Sequence, residues 1–184
     1  MICIYCGSSE GENPAFRQAA ALMTAALAGR GAGIVYGGGT RGLMGAVAEA
    51  ALEARVPLKG VVPSRFRSDR SVAPLGAEYF FVDKMQERKA MMRDLASAFV
   101  ALPGGIGTID EVSETLMLRS LGFHSKPLAL LNVAGFFAPF LTLLDGMVGT
   151  GFMKRTLFDG IIVSSDPEAL AEAVFGAMAG AKQA

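Results

Sequence analysis

The chain is 184 residues long, the size of one domain at roughly 150 residues per domain, and folding a chain of this size buries roughly 70% of its unfolded surface. Hydrophobic residues make up 52% and charged residues 18%, which excludes a disordered chain. Seventeen basic and seventeen acidic side chains cancel, so net charge draws the protein to neither nucleic acid nor anionic lipid, and only a local basic patch remains open.

Taken in order, the first apolar run, Ile2–Cys6, reads as a buried strand. It contains both cysteines, and an offset of three on a strand puts the Cys3 and Cys6 thiols on opposite faces, so a redox or metal pair is not expected. Reduced thiols fit a cytoplasmic protein, and Met1 runs into the strand with no basic leader. A helix over Pro14–Gly29 follows, opened by Asn13-Pro14; then a strand at Gly33–Tyr36, a helix at Leu43–Arg55, and strands at Leu58–Val62 and Glu78–Val82. The second half gives a helix at Met85–Ala96, a strand at Ala98–Leu102, a helix at Ile109–Leu121 and a strand at Leu128–Asn132. It closes with a helix at Phe136–Val148, a strand at Gly160–Val163 and a helix at Pro167–Ala179, which starts at Ser165-Asp166-Pro167-Glu168. Asn132, Gly135 and Pro139 interrupt the most apolar stretch, Leu128 to Leu144, so no membrane helix is expected there. Short continuous apolar strands alternating with helices predict an α/β fold over residues 1–184: a single doubly wound, mostly parallel, Rossmann-like sheet with helices on both faces.

In such sheets ligands bind beyond the carboxyl ends of the strands. Three clusters fall there and are expected to converge on one crevice: Gly7-Ser8-Ser9, Gly37-Gly38-Gly39 and Gly104-Gly105. Gly37-Gly38-Gly39-Thr40-Arg41-Gly42 satisfies G-x-G-x-x-G between a strand and a helix, which predicts anion binding by backbone N–H groups; a structural turn is the alternative. It follows the second strand, and no acidic residue stands about 20 residues on to hold a ribose hydroxyl, so NAD is disfavoured. A sharper motif is Pro103-Gly104-Gly105-Ile106-Gly107-Thr108-Ile109-Asp110-Glu111. Thr108 and Glu111 have the spacing of a capping box, which leaves a purely structural role open for both. The packed glycines favour a close-approaching anion instead, with the helix dipole favouring ionised Glu111. Met85-Gln86-Glu87-Arg88-Lys89 puts two cations in a first helical turn, against the dipole; either an anion or a carboxylate compensates them or this is a solvated face.

Together these segments resemble the LOG (Lonely Guy) family of cytokinin riboside 5′-monophosphate phosphoribohydrolases, often mislabelled as lysine decarboxylases. The hallmarks P-G-G-x-G-T-x-x-E and M-x-x-R-K match Pro103–Glu111 and Met85–Lys89. Cys6-Gly7-Ser8-Ser9, Tyr36-Gly37-Gly38-Gly39 with Gly42-Leu43-Met44-Gly45, and Lys126-Pro127 with Leu130-Leu131-Asn132-Val133 match as well. The resemblance implies a catalytic pair, Arg88 and Glu111. It implies substrate contacts at Lys89 and along Gly104, Gly105, Ile106, Gly107, Thr108, Ile109 and Asp110, with Gly37, Gly38, Gly39, Ser8 and Met85 completing the site. It also implies a homodimer with active sites near the interface, for which the apolar run Phe136–Leu141 is a candidate contact, the alternative being that this helix only covers one sheet face. This sequence departs from the family at Gln86, where histidine is common, and at Met117-Leu118-Arg119-Ser120-Leu121-Gly122 in place of T-W-A-Q-L-G. A threonine that contacts nucleotide in plant members thus becomes Met117, and an acidic contact falls at Asp69 or Arg70.

The expected reaction is hydrolysis of the N-glycosidic bond of an N6-modified adenosine 5′-monophosphate or of AMP, giving free base and ribose 5-phosphate. Glu111 would steady the oxocarbenium-like sugar and activate water, and Arg88 would hold Glu111 and the phosphate in register. No cofactor or metal is expected: His124 is the only histidine, and no lysine context argues for a pyridoxal cofactor. The methionines, Met44, Met91 and Met92 included, read first as packing, with the pocket wall as the alternative for those three. A nucleotide-binding or sensing module with little turnover is the rival reading.

Overall fold

The computed structural model describes residues 1–67 and 76–180. Seven strands form one sheet: β1 (Ile2–Tyr5), β2 (Ile34–Tyr36), β3 (Leu58–Pro63), β4 (Glu78–Val82), β5 (Ala98–Ala101), β6 (Leu128–Leu131) and β7 (Ile161–Ser164). Their order is β4-β3-β2-β1-β5-β6-β7, and every neighbouring pair is parallel. Seven helices connect and flank them: α1 (Ala15–Gly29), α2 (Gly42–Glu53), α3 (Met85–Leu95), α4 (Ile106–Ser120), α5 (Ala138–Gly149), α6 (Arg155–Asp159) and α7 (Pro167–Gly180).

Strand alternation divides the core into two layers. Ile2, Ile4, Ile34, Tyr36, Val100 and Leu131 pack under α1, α2 and α7; Cys3, Tyr5, Val35, Phe99, Leu128 and Leu130 pack under α3, α4 and α5. Cys3 joins the second layer and Cys6 packs on the first, so the thiols diverge as the offset of three requires. Two expected starts carry their caps: Asn13 Oδ1 accepts from Ala15 N–H at 3.0 Å, and Asp166 Oδ1 from Ala169 N–H at 2.7 Å.

The expected elements are present, with ends moved by a residue or two, and four details differ. The sheet is wholly parallel. Helix α4 begins at Ile106, three residues before the expected Ile109, because extended Gly105 (φ −86°, ψ −160°) already serves as its N-cap. Helix α5 begins at Ala138, since a 3-10 turn at Val133–Gly135 takes up the expected first turn. Helix α6 was not expected, because five residues are too few for a periodic apolar pattern.

The chain runs outward from β1 to β4 and then returns to the other side of β1 as β5. That reversal opens a crevice at the carboxyl ends of β1 and β5.

Candidate active site

The loops after β1 and β5 are joined where the Gly7 N–H donates to the Pro103 carbonyl at 3.1 Å. Gly104 lies against that junction: a Cβ there would stand 2.8 Å from Gly7 N and press on the Thr108 hydroxyl. The start of α2 is docked on the same loop. Leu43 and Met44 donate their N–H groups to the Gly7 carbonyl at 3.1 and 3.3 Å, so these donors are spent inside the fold rather than offered to a ligand.

The start of α4 is different. Thr108 and Ile109 donate back to the Gly105 carbonyl at 3.0 and 3.2 Å, while the Ile106 and Gly107 N–H groups have no acceptor among the described residues. Nothing lies within 4 Å of where a Cβ on Gly105 or Gly107 would stand. Two free donors, open space and the positive end of a fifteen-residue helix make an anion seat.

This start also overturns the capping-box reading. Thr108 is the third helical residue and Glu111 lies in the second turn, so the Glu111 carboxylate does not reach back to an N-cap. It meets Arg88 instead: Arg88 Nη1 stands 2.8 Å from Glu111 Oε1, and the two side chains are only 12% and 10% exposed. Arg88 Nε donates to the Val61 carbonyl at 2.9 Å, which fixes the guanidinium from the β3 side as well. Removing one member of a buried pair such as this costs about 3–5 kcal/mol, because the other charge is left unpaired. Burial pushes the Glu111 carboxyl above its ordinary value, and the Arg88 charge opposes that rise only in part. The dipole-favoured, readily ionised Glu111 expected from sequence therefore gives way to a carboxylate made more basic by its surroundings.

A second ion-pair ladder stands beside the first. Lys89 Nζ bridges Asp110 Oδ2 at 2.9 Å and Glu114 Oε2 at 3.2 Å, and Arg93 Nη1 meets Glu114 Oε2 at 2.8 Å. The two cations in the first turn of α3 are thus compensated by α4 carboxylates, and the solvated-face reading of Met85–Lys89 does not hold for Arg88 and Lys89.

The crevice has a volume of about 320 Å³. Of the expected residues it brings together Ser8, Gly37, Arg88, Gly105, Ile106, Gly107, Thr108 and Glu111. Ile4, Cys6, Gly7, Met44 and Met92 complete its wall. An adjoining cavity of about 400 Å³ shares Ser8, Gly37, Met44 and Arg88 and adds Gly39 and Met85. Its other walls are Arg41, from the glycine motif before α2, and Val62, Pro63, Arg65 and Phe66, which escaped the sequence reading, since a strand end and a 3-10 turn carry no motif. Lys89, Gly104, Ile109, Asp110 and Gly38 line neither cavity. Lys89 and Asp110 pair with each other, Ile109 packs into the second core layer, and Gly38 lies against Val62. Met44 and Met92 turn out to be walls, whereas Met91 packs in the core. Met117 stands on the outer face of α4, 47% exposed. Asp69 and Arg70 fall outside the described residues.

The family model described as "Possible lysine decarboxylase" matches residues 44–174. The rice (Oryza sativa subsp. japonica) cytokinin riboside 5′-monophosphate phosphoribohydrolase LOG is 42% identical over 154 residues, which cover 84% of this chain and 64% of the rice protein. The Arabidopsis thaliana enzyme LOG2 is 39% identical over 155 residues, 84% of this chain and 73% of that protein. The chain belongs to the LOG family. It spans a little under two thirds of the rice relative's length. Among solved structures, a molybdenum cofactor carrier protein from Chlamydomonas reinhardtii superposes with a TM-score of 0.72 at 20% identity, covering 97% of each chain. The molybdenum cofactor binding protein of Rippkaea orientalis gives 0.71 at 20% identity, covering 95% of each. At that identity they show that the LOG chain shares their fold.

Proposed function

We propose that the crevice hydrolyses the N-glycosidic bond of N6-modified adenosine 5′-monophosphates, and of AMP, releasing free base and ribose 5-phosphate. The observation that carries this reading is the buried Arg88–Glu111 pair set on one wall of a crevice whose other wall is the open start of α4. The phosphate sits on the Ile106 and Gly107 N–H groups, which holds the ribose over Glu111. As the bond from C1′ to the base nitrogen breaks, positive charge grows on the sugar, and a fixed carboxylate in a dry site stabilises it strongly. Water then forms the new C1′–O bond. Glu111 accepts a proton from that water and then releases it to solvent, which supplies the proton that the departing base nitrogen takes up, so the protein ends as it began. A carboxyl pushed upward by burial is the better proton acceptor. Arg88 keeps Glu111 in place through its planar fork.

The two relatives' names support this reading, as does the match of both hallmarks to the residues of the crevice. Incubation with AMP and with isopentenyladenosine monophosphate, followed by an assay for free base, tests it. Release of base from either supports hydrolysis; tight binding without release favours a sensing module instead.

We further propose that the protein is a cytoplasmic homodimer. Its two cysteines are unpaired, Cys3 buried and Cys6 half-buried, and no described helix is long and apolar enough to cross a membrane. The run Phe136–Leu141 expected at the interface is instead turned inward: Phe137 is fully buried, and Phe136, Phe140 and Leu141 pack against the second core layer. Truncating Phe137 to alanine would cost about 3–5 kcal/mol of fold stability. Exposed apolar surface lies along α4 and just past it, at Ile106, Met117, Leu121 and Phe123. A two-fold contact there would bring two crevices close, because the inner face of α4 carries Glu111. Light scattering at micromolar concentration decides; a monomeric mass contradicts the dimer.

A further inference from the structure

Gly37 is hard to explain as part of a phosphate loop. At the start of α2 the Leu43 and Met44 N–H groups are taken by the Gly7 carbonyl and the Gly45 N–H by the Arg41 carbonyl. Its neighbour Gly38 has φ +81°, a backbone that other residues rarely adopt, but Gly37 lies outside that region and needs glycine for no conformational reason. What requires glycine there is space. A Cβ on Gly37 would land on Nη2 of Arg88, and would stand 2.8 Å from the Met44 sulfur.

We propose that Gly37 is a positioning residue for Arg88: its bare Cα at the end of β2 is the third side of a socket for the guanidinium. Each edge of that group is then accounted for. Nε is held by the Val61 carbonyl of β3, Nη1 by the Glu111 carboxylate of α4, and Nη2 lies flat against Gly37. Three elements thus set one planar group, which leaves it little rotational freedom before substrate arrives. The proposal rests on Arg88 acting in the hydrolytic pair, although the socket itself is a matter of packing.

Both obstructing atoms are far ends of flexible side chains, so the fold should absorb the methyl group of Gly37→Ala by pushing the guanidinium aside. A merely structural glycine would lose stability with Arg88 unmoved. Nitrogen-15 NMR of arginine Nε–H groups reads this directly: the Arg88 resonance, identified by its absence in Arg88→Lys, should be slow to exchange because of Val61. In Gly37→Ala that protection should vanish, and the melting temperature should fall because the displaced guanidinium loosens its contacts with Val61 and Glu111. The turnover of AMP should fall on the order of 100-fold, as expected for a group displaced by about 1 Å, while AMP affinity holds. Adding Gly37→Ala to Arg88→Lys should lower the melting temperature less than adding it to the wild type, because lysine has no Nη2 to obstruct and only the Met44 sulfur remains in the way; this comparison also covers a single variant that folds poorly. An unchanged Arg88 resonance in Gly37→Ala would overturn the proposal, as would loss of AMP affinity with the resonance intact, which would make the loop a phosphate cradle. If the wild-type protein fails to hydrolyse nucleotides, the proposed reaction is wrong, but the resonance still decides the socket.

Discussion

The Tyr5 hydroxyl stands 3.1 Å from Thr115 Oγ1, and that hydroxyl donates its only proton to the Glu111 carbonyl at 2.8 Å. Tyr5 is therefore the donor, and the first strand is tied to the turn of α4 that carries the Glu111 carboxylate. Tyr5→Phe should lower stability by about 1–2 kcal/mol, because a buried acceptor loses its partner, and so lower the melting temperature by roughly 2–8 °C. Turnover should change far less than in the Arg88 or Glu111 variants. Parallel melts and kinetics check this; a Tyr5→Phe protein as inactive as Glu111→Gln would mean that the phenol takes part in the chemistry.

Phosphate recognition is assigned to the start of α4. Gly105→Val and Gly107→Val should abolish the advantage of AMP over adenosine with the core intact, since each new side chain meets only open crevice. Comparison of AMP and adenosine hydrolysis in wild type and variants checks the assignment. Equal use of both nucleosides by the wild-type protein would show that this turn is structural.

Most of the architecture is legible in the sequence because the inner strands are buried on both faces and so read as unbroken apolar runs, Ile2–Tyr5 and Ala98–Ala101 among them. The loop glycines are harder. Gly37 and Gly105 look alike as letters, yet one faces the Arg88 guanidinium and the other faces open crevice, and only the long-range packing separates them. Thr108 and Glu111 fit a capping box by spacing, but glycine at position 105 lets the helix start early and frees the carboxylate for Arg88. Phe136–Leu141 presents the same ambiguity: an apolar helix face is read equally well as interface or as core cover, and the fully buried Phe137 decides for cover.

In the proposed reaction Glu111 must be ionised, and burial raises its pKa, so the acid limb of kcat/KM should lie above the ordinary carboxylate range. Activity that stays level as pH falls through 4.5, the ordinary glutamate value, would contradict this.

His124 should make stability fall with acid. Neither ring nitrogen has a hydrogen-bond partner among the described residues, and burial, followed by the nearby Lys126 charge, lowers its pKa from 6.5. The unfolded chain therefore binds a proton that the folded one refuses. The native state keeps its full stability above pH 6.5 and loses it as pH falls below that value. Thermal melts between pH 8 and pH 5 should show a larger decline for the wild type than for His124→Gln; equal slopes would remove His124 from the account.

The central claim is that Glu111 acts as a charged group in hydrolysis, and one substitution isolates that charge. Glu111→Gln keeps an oxygen to accept from Arg88 Nη1, so it should cost less stability than truncating the buried pair, and the affinity of the folded protein for AMP should survive. It removes the negative charge that meets the oxocarbenium-like sugar and takes the proton of the attacking water, so release of base should fall by a factor on the order of 100–1,000 or more. Single-turnover assays of AMP and isopentenyladenosine monophosphate at saturating Glu111→Gln, with binding measured in parallel, give the result. Bound nucleotide with almost no free base is the predicted outcome; base released at near wild-type rates would contradict the mechanism.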